Sequence, residues 1–249
     1  MSELRHIDAR TVLVGDLHAH VINLANVLRH PALGPMLIRD LRRLPFHEYQ
    51  LRHSQDHMLR VETRGFQGDP EVEGMETSYV DALNYFVCAW MSRNGKAGTA
   101  GEFTAGFSVR WDAGGGDSAL RFRNAVEALR DWRRVFARCT FVVMDVFDFL
   151  AKVKDEPGHG VYLDPPFPDA GKPYQHNCGD TPADQRAWHV RLRNAVERFT
   201  RCRVVCRFYA HPLIEELYPR GRWAWSELTG RKQSNAAGPE VLLTREGTG

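Results

Sequence analysis

Short runs of β-branched and aromatic residues recur along this chain, separated by polar or helix-periodic stretches. Residues 11–16, 139–145, 160–164, 203–209, 223–228 and 240–244 read as strands. Between several of them the apolar positions recur with helical spacing. Residues 21–29 form one such segment, and 184–199 another, opened by the start signal Thr181-Pro182. Residues 211–217 make a short third. Strands alternating with helices predict an α/β fold with a mostly parallel, three-layer sheet. The last two strands, joined by the polar stretch 229–239, predict an antiparallel pair. The interval from about Pro31 to Arg138 breaks the rhythm. It is rich in arginine, aromatics and helix formers, and carries the glycine stretches 95–101 and 114–116. It predicts a mainly helical insertion, 31–135, on the ligand-binding edge of a sheet domain made of 1–30 and 136–249.

Charge sharpens this only locally. Lys+Arg number 33 against 31 Asp+Glu, so the net charge of +2 does not by itself indicate a polyanionic partner. The arginines are clustered, however: Arg39, Arg42 and Arg43 in one stretch, Arg121, Arg123, Arg130, Arg133 and Arg134 in another. Arginine suits bidentate contacts to phosphates and base edges, and serves equally on a solvated helix face. The five cysteines form no CxxC pair and no disulfide or zinc framework, which fits a reducing cytoplasm. No apolar run approaches the roughly 20 residues needed to span a bilayer, and the first ten residues do not read as a signal peptide. The expectation is a soluble, cytoplasmic protein that needs no metal and contacts no membrane.

The most informative segment is Val161-Tyr162-Leu163-Asp164-Pro165-Pro166-Phe167, an apolar strand ending in an acid, two prolines and an aromatic ring. Ligands of open α/β sheets bind beyond the carboxyl ends of strands, where this tetrapeptide falls. Proline fixes φ and removes a backbone donor, so Pro165 and Pro166 leave acceptors facing a ligand. The Asp164 carboxylate and the Pro165 carbonyl can together accept both N–H bonds of an amino group, and Phe167 offers a stacking face. An ordinary Asp-Pro turn is the plainer reading of the same four residues. Two further acids, Asp16 and Asp145, also follow apolar strands, and three such strand ends form a stronger set than one.

These features resemble the Dam-type class of adenine-specific DNA methyltransferases, particularly the stand-alone forms of phages and prophages. The likeness runs from about Thr11 to Thr244. It implies a Rossmann-like sheet dependent on S-adenosylmethionine, with a helical DNA-recognition insertion, and a flipped adenine methylated at N6. Asp164, Pro165, Pro166 and Phe167 match the catalytic tetrapeptide. TVLVGDLHAHVINLANVL at 11–28 resembles the second strand and its helix, which makes Asp16 the ribose-binding acid and Asn23 a helix residue typical of that segment. FVVMDVFDFL at 141–150 resembles the third strand, and puts Asp145, Val146 and Phe147 at the cofactor. Residues 85–99 and 107–124 resemble the insertion that recognises double-stranded DNA. Within and beyond it, Arg93, Asn94, Arg110, Arg121, Arg123, Lys172 and Tyr174 are the candidate contacts.

The family begins with a strand and a glycine-rich loop of the form F-x-G-x-G that approaches the methionyl end of the cofactor. Here ten residues precede Thr11 and none is glycine. The expected architecture therefore lacks its first, central strand, which would leave two inner strands with open edges. Either a separate N-terminal fragment supplies that strand, or the chain is a DNA-binding remnant. Two other readings carry less weight. Gly15-Asp16-Leu17-His18 resembles the first metal-binding motif of metallophosphoesterases, but the later motifs of that class do not occur; His18 and His20 read as polar positions beside a strand end. His176 and Cys178 lack a third orienting group for nucleophilic chemistry. Cytosine amino-methylation is close in chemistry, and Asp at 164 leans toward adenine.

Overall fold

The computed structural model describes residues 9–64, 77–93, 98–99, 101–109, 116–169, 174–228 and 240–247. They fall into two compact units that divide between Asp145 and Val146. The first opens with strand β1 (Val12–Asp16) and closes with β2 (Cys139–Val143). These pair in parallel, Val12 opposite Cys139 and Asp16 opposite Val143. Between them run α1 (Ala19–Arg29), α2 (Leu33–Arg43), α3 (Glu48–Arg64), α4 (Tyr79–Met91), a 3-10 turn at Glu102–Thr104, and α5 (Ser118–Phe136). The described residues of the interval 31–135 are mainly helical, and their helices share one core with the strand pair: Val12, Val27, Leu28, Leu37, Leu41, Phe86, Met91, Phe122 and Phe141 are all buried in it. Strand alternation sends Val12, Cys139 and Phe141 into this core, while Leu13 and Thr140 on the opposite face stay exposed. Asn23 of α1 grips the start of α4 twice, donating to the Ser78 carbonyl at 2.9 Å and accepting its N–H at 2.8 Å. The Ser78 hydroxyl then caps α4 by accepting from Asp81 N. Tyr85 and Phe86 are buried, whereas Trp90, on the same apolar set by spacing, is exposed and only leans on Phe86.

The second unit holds α6 (Val146–Lys152), β3 (Gly160–Leu163), α7 (Pro182–Glu197), β4 (Arg203–Tyr209), α8 (Pro212–Leu217), β5 (Ala224–Leu228) and β6 (Glu240–Arg245). Its sheet runs β3-β4-β6-β5, with β3 parallel to β4 and β6 antiparallel to both β4 and β5. The final antiparallel pair is the one the sequence predicts. A capping box between Thr181 and Asp184 starts α7, with Pro182 in its first turn. Val161, Leu163, Val204, Cys206, Phe208, Val241 and Leu243 alternate into one core with Leu192 and Val196 of α7.

The fold is mixed α/β, but its described strands make two sheets, of two and four strands, where the sequence reading expects one. Among the described strands β1 and β2 pair only with each other, and β3 only with β4, so all three are parallel edge strands. All five cysteines are buried as free thiols.

Each unit also buries histidine, with opposite electrostatics. His18 and His20, which the sequence places as polar residues beside a strand end, are in fact buried. His18 Nε2 lies 3.0 Å from Glu102 Oε1, and His20 Nε2 lies 2.9 Å from Glu62 Oε1. Both rings pack on Tyr85. Burial lowers the proton affinity of His18, but the hydrogen bond and charge of Glu102, with Asp16 and Glu62 behind it, outweigh burial and raise its pKa above the ordinary value. In the second unit His189 is fully buried between Trp188 and Phe208, and among the described residues neither ring nitrogen has a hydrogen-bond partner. Burial, then the nearby His211, push its pKa down to about 4.

Opposite pH responses follow. The His18–Glu102 pair contributes stability that is complete below about pH 6.5, the unfolded value, and is lost as pH rises through the raised folded value. Glu102→Gln should cost about 2 kcal/mol at pH 6 and less at pH 9. Amide exchange in the Glu102–Thr104 turn measures this, and equal protection in both proteins at pH 6 would refute it. The second unit should lose about 3 kcal/mol as pH falls from 6.5 to 4, because the unfolded His189 binds a proton that the folded one refuses. Urea unfolding of His189→Leu should show a correspondingly flatter pH dependence over that range, and an unchanged slope would rule the effect out.

Candidate active site

The tetrapeptide Asp164-Pro165-Pro166-Phe167 leaves the carboxyl end of β3, as its sequence predicts. Asp164 is exposed, Pro165, Pro166 and Phe167 are half-buried, and Pro168 is buried beneath them. The Phe167 ring packs 4.4 Å from Tyr209 and 6.4 Å from Phe208, centroid to centroid. Asp169 ties down the far end of this loop. The Asp169 N–H donates to Gln185 Oε1 at 3.0 Å, and the buried Gln185 in turn donates to the Gly179 carbonyl at 3.0 Å. Asp169 has φ 57°, a left-handed conformation open to aspartate but costly for most side chains. Its carboxylate lies 3.3 Å from His211 Nε2. His211 Nδ1 accepts the Leu213 N–H at the start of α8, so Nε2 carries the proton and donates it to Asp169.

Arg207, from the middle of β4, lies beside the acid. Its Nη1 is 3.4 Å from Asp164 Oδ2, while Nε and Nη2 donate to Glu240 Oε2 of β6 at 3.2 and 2.7 Å. Partial burial works against the guanidinium charge, but the Glu240 hydrogen bond and the Asp164 charge outweigh it and raise the pKa further. A positive charge thus stands permanently next to Asp164. This arrangement places a carboxylate beside a guanidinium at a strand end, next to a half-buried aromatic ring. The sequence reading missed Arg207, Glu240, Gln185, Asp169, His211 and Tyr209. For Arg207 the sequence signals only the face: alternation with the apolar Cys206 and Phe208 puts it opposite the core, and says nothing of its partners.

In the first unit, β1 ends at Asp16, an exposed acid whose Oδ1 accepts the His18 N–H at 2.8 Å. The Met144 N–H donates to the Asp16 carbonyl at 3.1 Å, so Asp145 follows at the same end of the strand pair. Val146 and Phe147, which open α6, both pack against the second unit's core. The Phe147 ring has the Arg191 guanidinium 3.6 Å over its face and Trp188 at its edge.

Of the candidate nucleic-acid contacts, Arg121 and Arg123 are exposed on α5 and Arg93 is exposed just after α4, where its N–H donates to the Gly106 carbonyl. Tyr174 is exposed in the second unit. Asn94, Arg110 and Lys172 lie outside the described residues. Helical spacing aligns Arg123, Glu127, Arg130 and Arg134 along one exposed stripe of α5. Arg42 of α2 clamps the Glu127 carboxylate through two nitrogens and holds it below the usual carboxylate range, so the stripe is net positive. Among the described residues no group of three His, Cys, Asp or Glu side chains could hold a metal ion, and no helix is long and apolar enough to cross a membrane.

No family model and no curated protein matches this chain. A solved structure described as "SMU.472, a putative methyltransferase complexed with SAH" is similar to it at 13% identity and a TM-score of 0.34. That match covers 68% of this chain and 46% of the other, so the chain spans less than half the length of that protein.

Proposed function

We propose that this chain is an S-adenosylmethionine-dependent methyltransferase acting on the N6 amino group of adenine in double-stranded DNA, with a Rossmann-like catalytic sheet. The observation that carries the reading is the Asp-Pro-Pro-Phe loop. It lies at a strand's carboxyl end, with an exposed Asp164 carboxylate and with Phe167 packed against Tyr209. An exocyclic amino group is a poor nucleophile because its lone pair is delocalised into the ring. Asp164 and the Pro165 carbonyl would accept its two N–H bonds and favour a more tetrahedral nitrogen, aligned for in-line attack. Phe167 would stack on the base once it is turned out of the duplex, at a cost of a few kcal/mol.

The cofactor would supply an electrophilic methyl group on a sulfonium. Asp16 suits its ribose: the carboxylate is exposed at the end of a parallel strand and oriented by the His18 N–H. Asp145, beside it, suits the adenine amino group. Phe147 suits a role through its backbone, since Arg191 already covers one ring face. The net-positive stripe on α5, together with Arg93 and Arg121, supports contact with a phosphate backbone. Among the described strands β1 pairs only with β2, and this supports one further element of the proposal. A separate N-terminal segment carrying the glycine-rich loop would add a strand beside β1.

Asp164→Ala should lower methyl transfer to adenine-containing duplexes by a factor of about a hundred or more. Because the side chain is exposed, the thermal midpoint should stay within a degree or two; turnover equal to the parent would remove Asp164 from the chemistry. Co-expression with a family-derived N-terminal segment should raise both soluble yield and S-adenosylmethionine affinity, read by calorimetric titration. No gain in either from a well-folded chain would exclude the added strand.

A further inference from the structure

We propose that Arg207 is a specificity-determining residue that, with Asp164, reads a base edge in which an amino group adjoins a ring nitrogen. The inference rests on the amino-methylation reading and deepens it. Alternation along β3 and β4 puts Val161, Leu163, Cys206 and Phe208 into the core of the second unit, and sends Tyr162, Asp164, Arg207 and Tyr209 to the other face. On that face the Arg207 fork is divided. Nε and Nη2 are fixed on Glu240, which leaves Nη1 directed toward Asp164 Oδ2 at 3.4 Å. A guanidinium Nη carries two hydrogens, and one of them suffices for Asp164. Half-burial of Arg207 against the apolar strand, and the grip of Glu240 from β6, keep the fork from swinging into solvent.

The site therefore offers a charged acceptor next to a charged donor, with Phe167 and Tyr209 beside them. The matching ligand edge is a donor next to an acceptor. Adenine presents that pattern twice, N6–H beside N1 and N6–H beside N7, and cytosine once, N4–H beside N3. A base with a carbonyl in place of the amino group, such as hypoxanthine, would set oxygen against the Asp164 carboxylate and be rejected. Asp164 thus selects the amino group, and Arg207 selects the ring nitrogen next to it.

The test uses the full chain with 15N-labelled arginine, titrated with adenosine, 1-deazaadenosine and 7-deazaadenosine. Binding is followed at the Arg207 guanidinium signals, which report this site apart from any cofactor site. Adenosine and one deaza analogue should bind alike, and the other should bind about tenfold more weakly or worse, having lost a hydrogen bond to a charged donor. Arg207→Gln should bind all three alike, read at the Tyr209 ring signals, and Arg207→Lys should restore part of the discrimination. Equal affinity of the three nucleosides for the parent chain overturns the proposal, as does discrimination that survives in Arg207→Gln, or no response of Arg207 to any nucleoside. Equal affinities would leave amino-methyl transfer standing. Discrimination at Arg207 without methyl transfer by the chain and its supplied strand would instead overturn the methyltransferase reading alone.

Discussion

Parallel strand pairing is the constraint from which most of this structure follows. Two parallel strands cannot be joined by a tight turn; the chain must cross back over the sheet. Between β1 and β2 that crossover contains every helix of the first unit, from α1 to α5. The helices bury the same core that receives Val12 and Phe141, so the segment that breaks the sequence rhythm is structurally a crossover. Asn23 illustrates the dependence. From α1 it satisfies both backbone groups of Ser78, 55 residues on, and so fixes where α4 begins. Parallel pairing also brings the ends of β1 and β2 level, which is why two acids separated by most of the unit, Asp16 and Asp145, come at the same end of the strand pair.

Polar groups inside each unit divide into those that are satisfied and those that are only tolerated. Asp81 sits almost fully buried in the first turn of α4, where its N–H donates to the Ser78 hydroxyl and its Oδ1 lies 2.6 Å from His57 Nε2. His18 and His20 each hold a carboxylate and bind α1 to the 3-10 turn and to α3. His189 has no such partner among the described residues and stays neutral by burial. A buried imidazole with two unsatisfied nitrogens costs stability that leucine would not. It lies one residue from Trp188 and packs on Phe208, beneath the loop that carries Phe167.

Strand and helix positions were largely legible in the sequence, because alternation and capping are local. Residues 203–209 coincide with β4, Thr181-Pro182 opens α7, and the polar stretch 229–239 joins an antiparallel pair. The tetrapeptide at the end of β3 was legible for the same reason, since an apolar strand ended by two prolines has few alternatives. What could not be read depends on which strands are neighbours. Arg207 and Asp164 are 43 residues apart, Arg207 and Glu240 33 apart, and only the order β3-β4-β6 brings them together. The ties from Asp169 to Gln185 and His211 have the same origin. Burial of His18 and His20 was hidden because their partners, Glu102 and Glu62, come from distant helices and carry no spacing signal.

Strand β4 shows how one local pattern serves both stability and chemistry. Its residues alternate between Val204, Cys206 and Phe208, which are completely buried, and Val205, Arg207 and Tyr209, which are not. A slip of one residue would put the guanidinium into the core and the phenyl ring in place of the cation beside Asp164. Two neighbours, β3 in parallel and β6 antiparallel, hold the register, and the core side chains make any slip costly. The position of the charge next to Asp164 is therefore set by the packing of Cys206 and Phe208 on the opposite face. Precision at the site is inherited from the core, and the loop needs only its two ties through Asp169 to follow.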